Sequence, residues 1–168
     1  DDTAPSLTDC PSDQTVIVDA NCDYTVADFT TGITISDNCT ATGDLVVTQD
    51  PVAGTVLSND GTTQLITITV EDEDGLQSSC TFTITLDDDT AQAITTCPAD
   101  DDVSADANCE FTMLDYTGGV VATDNCTAAG NLIITQSPVA GTVVSGTQVV
   151  TITVEDEDGL QTTCSFTL

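Results

Sequence analysis

The sequence predicts an all-β protein of two tandem antiparallel β-sandwich domains arranged end to end, and three observations carry that prediction. The first is an internal repeat. DDTA at Asp1 to Ala4 recurs at Asp88 to Ala91, and the same shift of 87 positions carries Cys10, Cys22 and Cys39 onto Cys97, Cys109 and Cys126. After a short deletion near SNDGTT the shift becomes 84, and TITVEDEDGLQ and Cys80 fall on their partners, which include Cys164. The chain of 168 residues is therefore expected to hold two copies of one module, at 1–86 and 87–168. The second observation is a hydrophobic period of two, and the third is a regular series of turn-forming breakers.

In the first module those breakers run in the order PSD, DAN, TTG, DNCTATGD, DPVAG, SNDG and EDEDG, and they separate about seven short strands. The last two strands show the alternation best. In QLITITVE, Ile66, Ile68 and Val70 face one side while Thr67 and Thr69 face the other. CTFTITL repeats the pattern with Cys80, Phe82, Ile84 and Leu86 inward. Threonine suits the outward positions because its branched Cβ fits a pleated surface. Between these strands, EDEDG reads as a hairpin turn in which Gly75 supplies a positive φ. Strand number and spacing point to an immunoglobulin-like sandwich, although the chain has no Trp to build the core seen in antibody domains.

Composition excludes several functions. The chain has 29 Asp and Glu, no Lys, no Arg and no His, for a net charge of −29. Nucleic acid binding fails because phosphate neutralisation needs Lys or Arg. Attraction to anionic membrane surfaces fails for the same reason, and no apolar run is long enough for direct membrane insertion. Catalysis lacks its usual parts, since there is no His for a triad, no Lys for a Schiff base and no Gly-rich phosphate loop. No enzyme activity is expected.

Eight Cys in an acidic, Thr-rich chain indicate an oxidising compartment, so the protein is expected outside the cell or on its surface. The opening DDTAPSL has neither a basic nor an apolar region of the signal-peptide kind. Joining Leu168 to Asp1 would nearly regenerate the internal junction, so the chain reads as one period of a longer tandem array or head-to-tail polymer. Four Cys per module allow three connectivities, among which spacing does not choose.

CP at Cys10 and Pro11, DNC at Asp37 to Cys39, PVAGT at Pro51 to Thr55 and TITVEDEDGLQSSCTFTI at Thr67 to Ile84 resemble the hyalin repeat, and the second module carries the same set. The resemblance implies tandem immunoglobulin-like modules of extracellular adhesion, matrix or bacterial surface proteins, without enzymatic activity. It also implies a bond between Cys10 and Cys80, which leaves Cys22 with Cys39. By analogy Cys97 joins Cys164, and Cys109 joins Cys126. If the strands simply alternate in direction, the DANC turn and the DNC loop both fall at the C-terminal end of the module, which permits the inner pair. Closing the outer loop should stabilise a module by roughly 4 kcal/mol in the chain-entropy model.

The same alternation puts EDEDG at the N-terminal end of each module. Asp87, Asp88 and Asp89 then enter the second module beside Asp156 and Asp158, and Asp19, Asp37 and Asn38 approach from the first. Asp72 and Asp74, with Asp1 and Asp2, form the matching set at the other end of the period. Crowded carboxylates without a cation in the chain repel one another, and clustered oxygens suit Ca2+, so calcium is the expected cofactor. A solvated acidic turn neutralised only by diffuse counterions is the competing expectation. Zn2+ is disfavoured, because no His exists and the Cys are expected to be paired.

Two kinds of modification site are present. Thr3 and Thr90 lie in D-T-A sequences that fit bacterial periplasmic O-glycosylation, and Asn38 and Asn125 head N-C-T sequons. The function expected is a structural repeat unit of an extracellular fibre, filament or cell-surface stalk, stapled by disulfides and rigidified by calcium at domain junctions. Its partners would be further copies of itself or adjacent repeats. The alternative is an adhesin module that recognises a surface glycan or a protein through its loops.

Overall fold

A computed structural model describes residues 2–168, so Asp1, one of the expected cation ligands, lies outside the described residues. The described chain is all-β apart from one three-residue 3-10 turn, and it divides into two compact units that meet between Asp88 and Asp89.

Unit one contains β1 (Ser6–Thr8), β2 (Gln14–Ile17), β3 (Asp23–Thr25), β4 (Thr34–Ser36), β5 (Val46–Asp50), β6 (Val56–Ser58), β7 (Thr63–Glu71) and β8 (Gln77–Asp87). One sheet has the order β2-β8-β7-β5, and the opposing face is made by the pairs β1-β4 and β3-β6. Ile66, Ile68, Phe82 and Ile84 from β7 and β8 bury their side chains against Val26, with Phe29 edge-on to Phe82 at 5.0 Å. The alternation read from QLITITVE appears as burial: Ile66, Ile68 and Val70 are fully buried, while Thr67 and Thr69 are not. Each unit is an immunoglobulin-like β-sandwich.

Unit two repeats the plan without a counterpart of β2, with β9 (Ala93–Thr96), β10 (Glu110–Thr112), β11 (Val121–Thr123), β12 (Ile133–Ser137), β13 (Val143–Ser145), β14 (Val149–Glu155) and β15 (Gln161–Thr167), and its sheet β12-β14-β15 faces the pairs β9-β11 and β10-β13. Val150, Ile152, Val154 and Phe166 form its centre together with Met113 and Leu132, and Tyr116 packs edge-on to Phe166 at 5.0 Å. Burial raises the pKa of the Tyr116 phenol, and the charge of Asp101 adds to the effect.

Strand direction defines two ends for each unit. The turn between β7 and β8 lies at what we term the entry end, and β8 leaves at the exit end. β2 runs parallel to β8, with Ile17 beside Asp87, which departs from a purely antiparallel sheet. The turn that follows β2 is therefore at the exit end, where Asn59 N–H donates to the Cys22 carbonyl at 3.1 Å and Gly61 N–H to that of Leu86 at 3.0 Å.

Simple alternation fails after this point, and one side chain bridges the break. β3 pairs with β6 and β4 pairs with β1, yet both run from the exit end toward the entry end. The TTG segment between them sidesteps from one partner to the other without reversing. Gln49 replaces the missing ladder: its Nε2 donates to the Ala27 and Pro51 carbonyls at 2.9 and 3.0 Å, and its Oε1 accepts the Phe29 N–H at 2.7 Å. Gln136 does the same in unit two for Leu114, Pro138 and Tyr116. The DNC loop after β4 consequently lies at the entry end, opposite the DANC turn.

The outer disulfides form as the resemblance implied. Cys10 bonds Cys80 and Cys97 bonds Cys164, each with a Cα separation of 6.3 Å. The inner pairs implied with them do not form, because Cys39 and Cys109 carry free thiols. Cys22 stands at the exit end and Cys39 at the entry end, so about 30 Å of strand separates them, at roughly 3.4 Å per residue along β7. A disulfide tolerates a Cα separation of only about 7 Å.

Candidate cation sites at the entry ends

At the entry end of unit one, two acidic loops close on themselves through one carboxylate oxygen each. Asp72 Oδ1 accepts the N–H groups of Asp74 at 2.9 Å and Leu76 at 2.8 Å, while Gly75 takes the left-handed conformation at φ +81°. Asp37 Oδ2 accepts those of Cys39 at 2.9 Å and Thr40 at 2.8 Å. The Thr40 N–H is the larger cause, and that of Cys39 the next, of an Asp37 pKa held below the ordinary carboxylate value. The two loops are tied by the buried Thr40 hydroxyl, which accepts the Glu73 N–H at 3.5 Å.

The second oxygen of each carboxylate has no such use. Asp72 is 4 % exposed, and its Oδ2 is buried without a hydrogen-bond partner; Asp37 Oδ1 is likewise buried and unsatisfied. Unit two repeats the arrangement. Asp156, 2 % exposed, holds Asp158 N–H at 3.0 Å and Leu160 N–H at 2.8 Å through Oδ1, and leaves Oδ2 unsatisfied. Asp124 Oδ2 accepts the N–H groups of Cys126 and Thr127 at 2.9 and 2.7 Å, and its Oδ1 is unsatisfied. Gln92 is also buried here: its Nε2 donates to the Val154 carbonyl, and its Oε1 lacks a partner.

An unsatisfied buried polar atom costs about 1–3 kcal/mol, and more when it is charged. The atoms left over at the entry ends are oxygens that only accept, and the same two carboxylates recur in both repeats. No Lys, Arg or His exists in the chain to neutralise the charge they carry. A hard divalent cation satisfies such atoms, and an all-oxygen donor set is that of Ca2+ rather than Zn2+.

The structure distributes the other expected ligands as follows. Asp74 and Asp158 are exposed in the turns whose backbone Asp72 and Asp156 close, and Asp2 and Asp89 are exposed as well. At the exit end of unit one, Asp87 and Asp60 bring carboxylate oxygens within 4.8 Å of each other, and the N–H of the buried Asp88 donates to Asp60 Oδ1 at 2.8 Å. Asp19, also at that end, closes its turn by accepting the Asn21 and Asp23 N–H groups at 2.8 and 3.1 Å. The expectation that Asp37 and Asn38 join Asp19 there is corrected: the sidestep between β3 and β4 places them at the opposite end of the unit.

Sequence reasoning missed Asp124, Asp60, Gln92, Thr40 and Thr127. Asp124 was recoverable as the repeat partner of Asp37. Thr40 and Thr127, the third residues of the sequons, are buried with their hydroxyls engaged by Glu73 and Glu157. Thr3 and Thr90 are exposed.

No protein-family model matches the sequence, and neither does any curated protein. Among solved structures, the extracellular cadherin domains 1–4 of protocadherin gamma B7 align over 99 % of this chain at 16 % identity and a TM-score of 0.45. This chain spans about half of that structure, 49 %. Human protocadherin-24 EC1-2 aligns at 13 % identity, with a TM-score of 0.42 over 99 % of this chain and 97 % of that one. Mouse cadherin-23 EC22-24 aligns at 12 % identity and a TM-score of 0.45, over 99 % and 66 %. The fold described above rests on the strands of this chain.

Proposed function

We propose that the chain is a non-catalytic structural repeat of an extracellular fibre, filament or surface stalk, stapled by disulfides and rigidified by Ca2+, in an array of hyalin-repeat type. The observation that carries this reading is the duplicated pair of half-used carboxylates, Asp37 with Asp72 and Asp124 with Asp156, each with one buried, unsatisfied oxygen. Their free oxygens, with Gln92 Oε1 in unit two, would hold the ion, and the exposed Asp74, Asp158, Asp2, Asp87 and Asp89 would add to the field that attracts it. Bound calcium supplies charge neutralisation and fixes both loops at an entry end, so a flexible acidic tip becomes a rigid one.

The outer disulfides support the same role. Each closes a loop of 70 or 67 residues across a small core, which protects a module outside the cell. The exposed Thr3 and Thr90 are the better placed glycan acceptors. Asn38 and Asn125 are poorer ones, because the sequon threonines are buried. Electron microscopy of native material in Ca2+ tests the reading. Periodic filaments built from this repeat support it, whereas dispersed single molecules that bind a glycan or protein ligand would favour the adhesin alternative.

A further inference from the structure

The two free thiols stand at opposite kinds of end. Cys39 is exposed on the entry-end loop of unit one, and Cys109 is exposed on the exit-end turn of unit two. Their repeat counterparts differ in oxidation state: Cys126, which matches Cys39, and Cys22, which matches Cys109, are both half-cystines. Each kind of position is thus seen once reduced and once oxidised.

The half-cystines Cys22 and Cys126 are less exposed than Cys109 and Cys39, but the backbone geometry is alike in the two states. Asn38 Nδ2 donates to Cys39 Sγ at 3.2 Å and Asn125 Nδ2 to Cys126 Sγ at 3.6 Å, and the preceding Asp closes both loops identically. Cys109 N–H donates to the Asp106 carbonyl at 3.0 Å with φ +62°, and Cys22 N–H to that of Asp19 at 2.9 Å with φ +61°. Both free thiols are therefore already held in the backbone conformation of a half-cystine. Beside Cys109 a cleft of roughly 250 Å³, lined by Val103, Phe111, Val144 and Leu168, offers a seat for an incoming loop.

We infer that Cys109 of one copy forms a disulfide with Cys39 of the next, so that the array is covalently linked end to end. An entry-to-exit bond joins unlike surfaces, and such a heterologous contact propagates into an open filament rather than closing into a pair. The bond forms by exchange with an external small-molecule disulfide such as oxidised glutathione. One protein thiolate attacks the oxidant and displaces a thiolate, and the second then attacks the mixed disulfide. Two thiol protons are lost, and two electrons leave with the oxidant as its reduced thiols. The inference rests on the array reading above.

The test incubates full-length protein with oxidised glutathione in Ca2+, followed by non-reducing electrophoresis and peptide mapping. Pepsin replaces trypsin, which finds no Lys or Arg to cleave. Wild type should give a reducible ladder beyond dimer with Cys39–Cys109 as the linking peptide. Cys39→Ser mixed with Cys109→Ser should stop at dimer through that same bond. Monomer with both thiols unlinked, a Cys39–Cys109 bond within one chain, or dominant symmetric bonds would overturn the inference. Microscopy of the same samples separates the two ideas: filaments without the cross-link defeat only the bond, whereas absence of both filaments and cross-links defeats the array as well.

Discussion

Thr40 Oγ1 accepts the Glu73 N–H at 3.5 Å, and Thr127 Oγ1 accepts that of Glu157 at 3.3 Å. One buried hydroxyl per unit thus binds the DNC loop to the turn before the last strand, where two half-used aspartates meet at one end.

Thr40→Val keeps the shape and removes the acceptor, leaving the Glu73 N–H without it. The expected loss is about 1 kcal/mol of unfolding free energy in urea, together with weaker calcium binding. A variant equal to wild type in both would show that the two loops are not coupled.

Replacing both Cys10 and Cys80 by Ala should cost unit one about 2–5 kcal/mol, because the bond closes a loop of 70 residues. Calorimetry should show the loss in one transition while the other stays in place. Equal loss in both transitions would contradict the division into two separately stapled cores.

Gln49→Leu should be among the most damaging single changes away from the core. Gln49 is 8 % exposed and serves the Ala27 and Pro51 carbonyls and the Phe29 N–H. A leucine of similar size leaves these groups unpartnered, so about 2–4 kcal/mol should be lost. Hydrogen exchange should show early opening between β3 and β4.

The Asx turns make stability fall in acid. The Asn21 N–H, then that of Asp23, lowers the pKa of Asp19, and the Glu110 N–H, then that of Asn108, lowers that of Asp106. A depressed native pKa contributes stability that is fully present above the unfolded value, about 3.9, and is lost as pH falls through the native value. The deficit of Asp19→Ala or Asp106→Ala relative to wild type should therefore be full at neutral pH. It should shrink below about pH 4, as measured by denaturation at constant NaCl.

Much of the fold was legible because its signals are local and repeated. The alternation in QLITITVE and CTFTITL became the two buried strands of unit one, and the position of EDEDG at the entry end followed from their hairpin. Direction failed at TTG because nothing in that segment announces a sidestep; the residue that bridges it, Gln49, lies about twenty positions away and acts through its side chain. That error placed Asp37 beside Asp19, and it made the Cys22–Cys39 pairing implied by the resemblance look geometrically possible. At the cation sites, Asp72 and Asp37 were legible as acids in loops. Which oxygen is used by the backbone and which is left over depends on turn geometry that the letters do not carry. Gln92 was invisible for a related reason, since its counterpart in the first repeat is Pro5.

Calcium binding to chelator-stripped protein, followed by titration calorimetry and thermal melting in about 150 mM NaCl to screen diffuse charge, tests the central claim most directly. Saturable binding is predicted, with melting raised by about 10 °C or more at Ca2+ near 100 times Kd. The Asp72→Asn, Asp156→Asn double variant, which keeps the turn-closing Oδ1, should lose most of that effect. Melting that is the same in EGTA and in Ca2+, with no saturable heat, would contradict the account and leave the carboxylates to diffuse counterions alone.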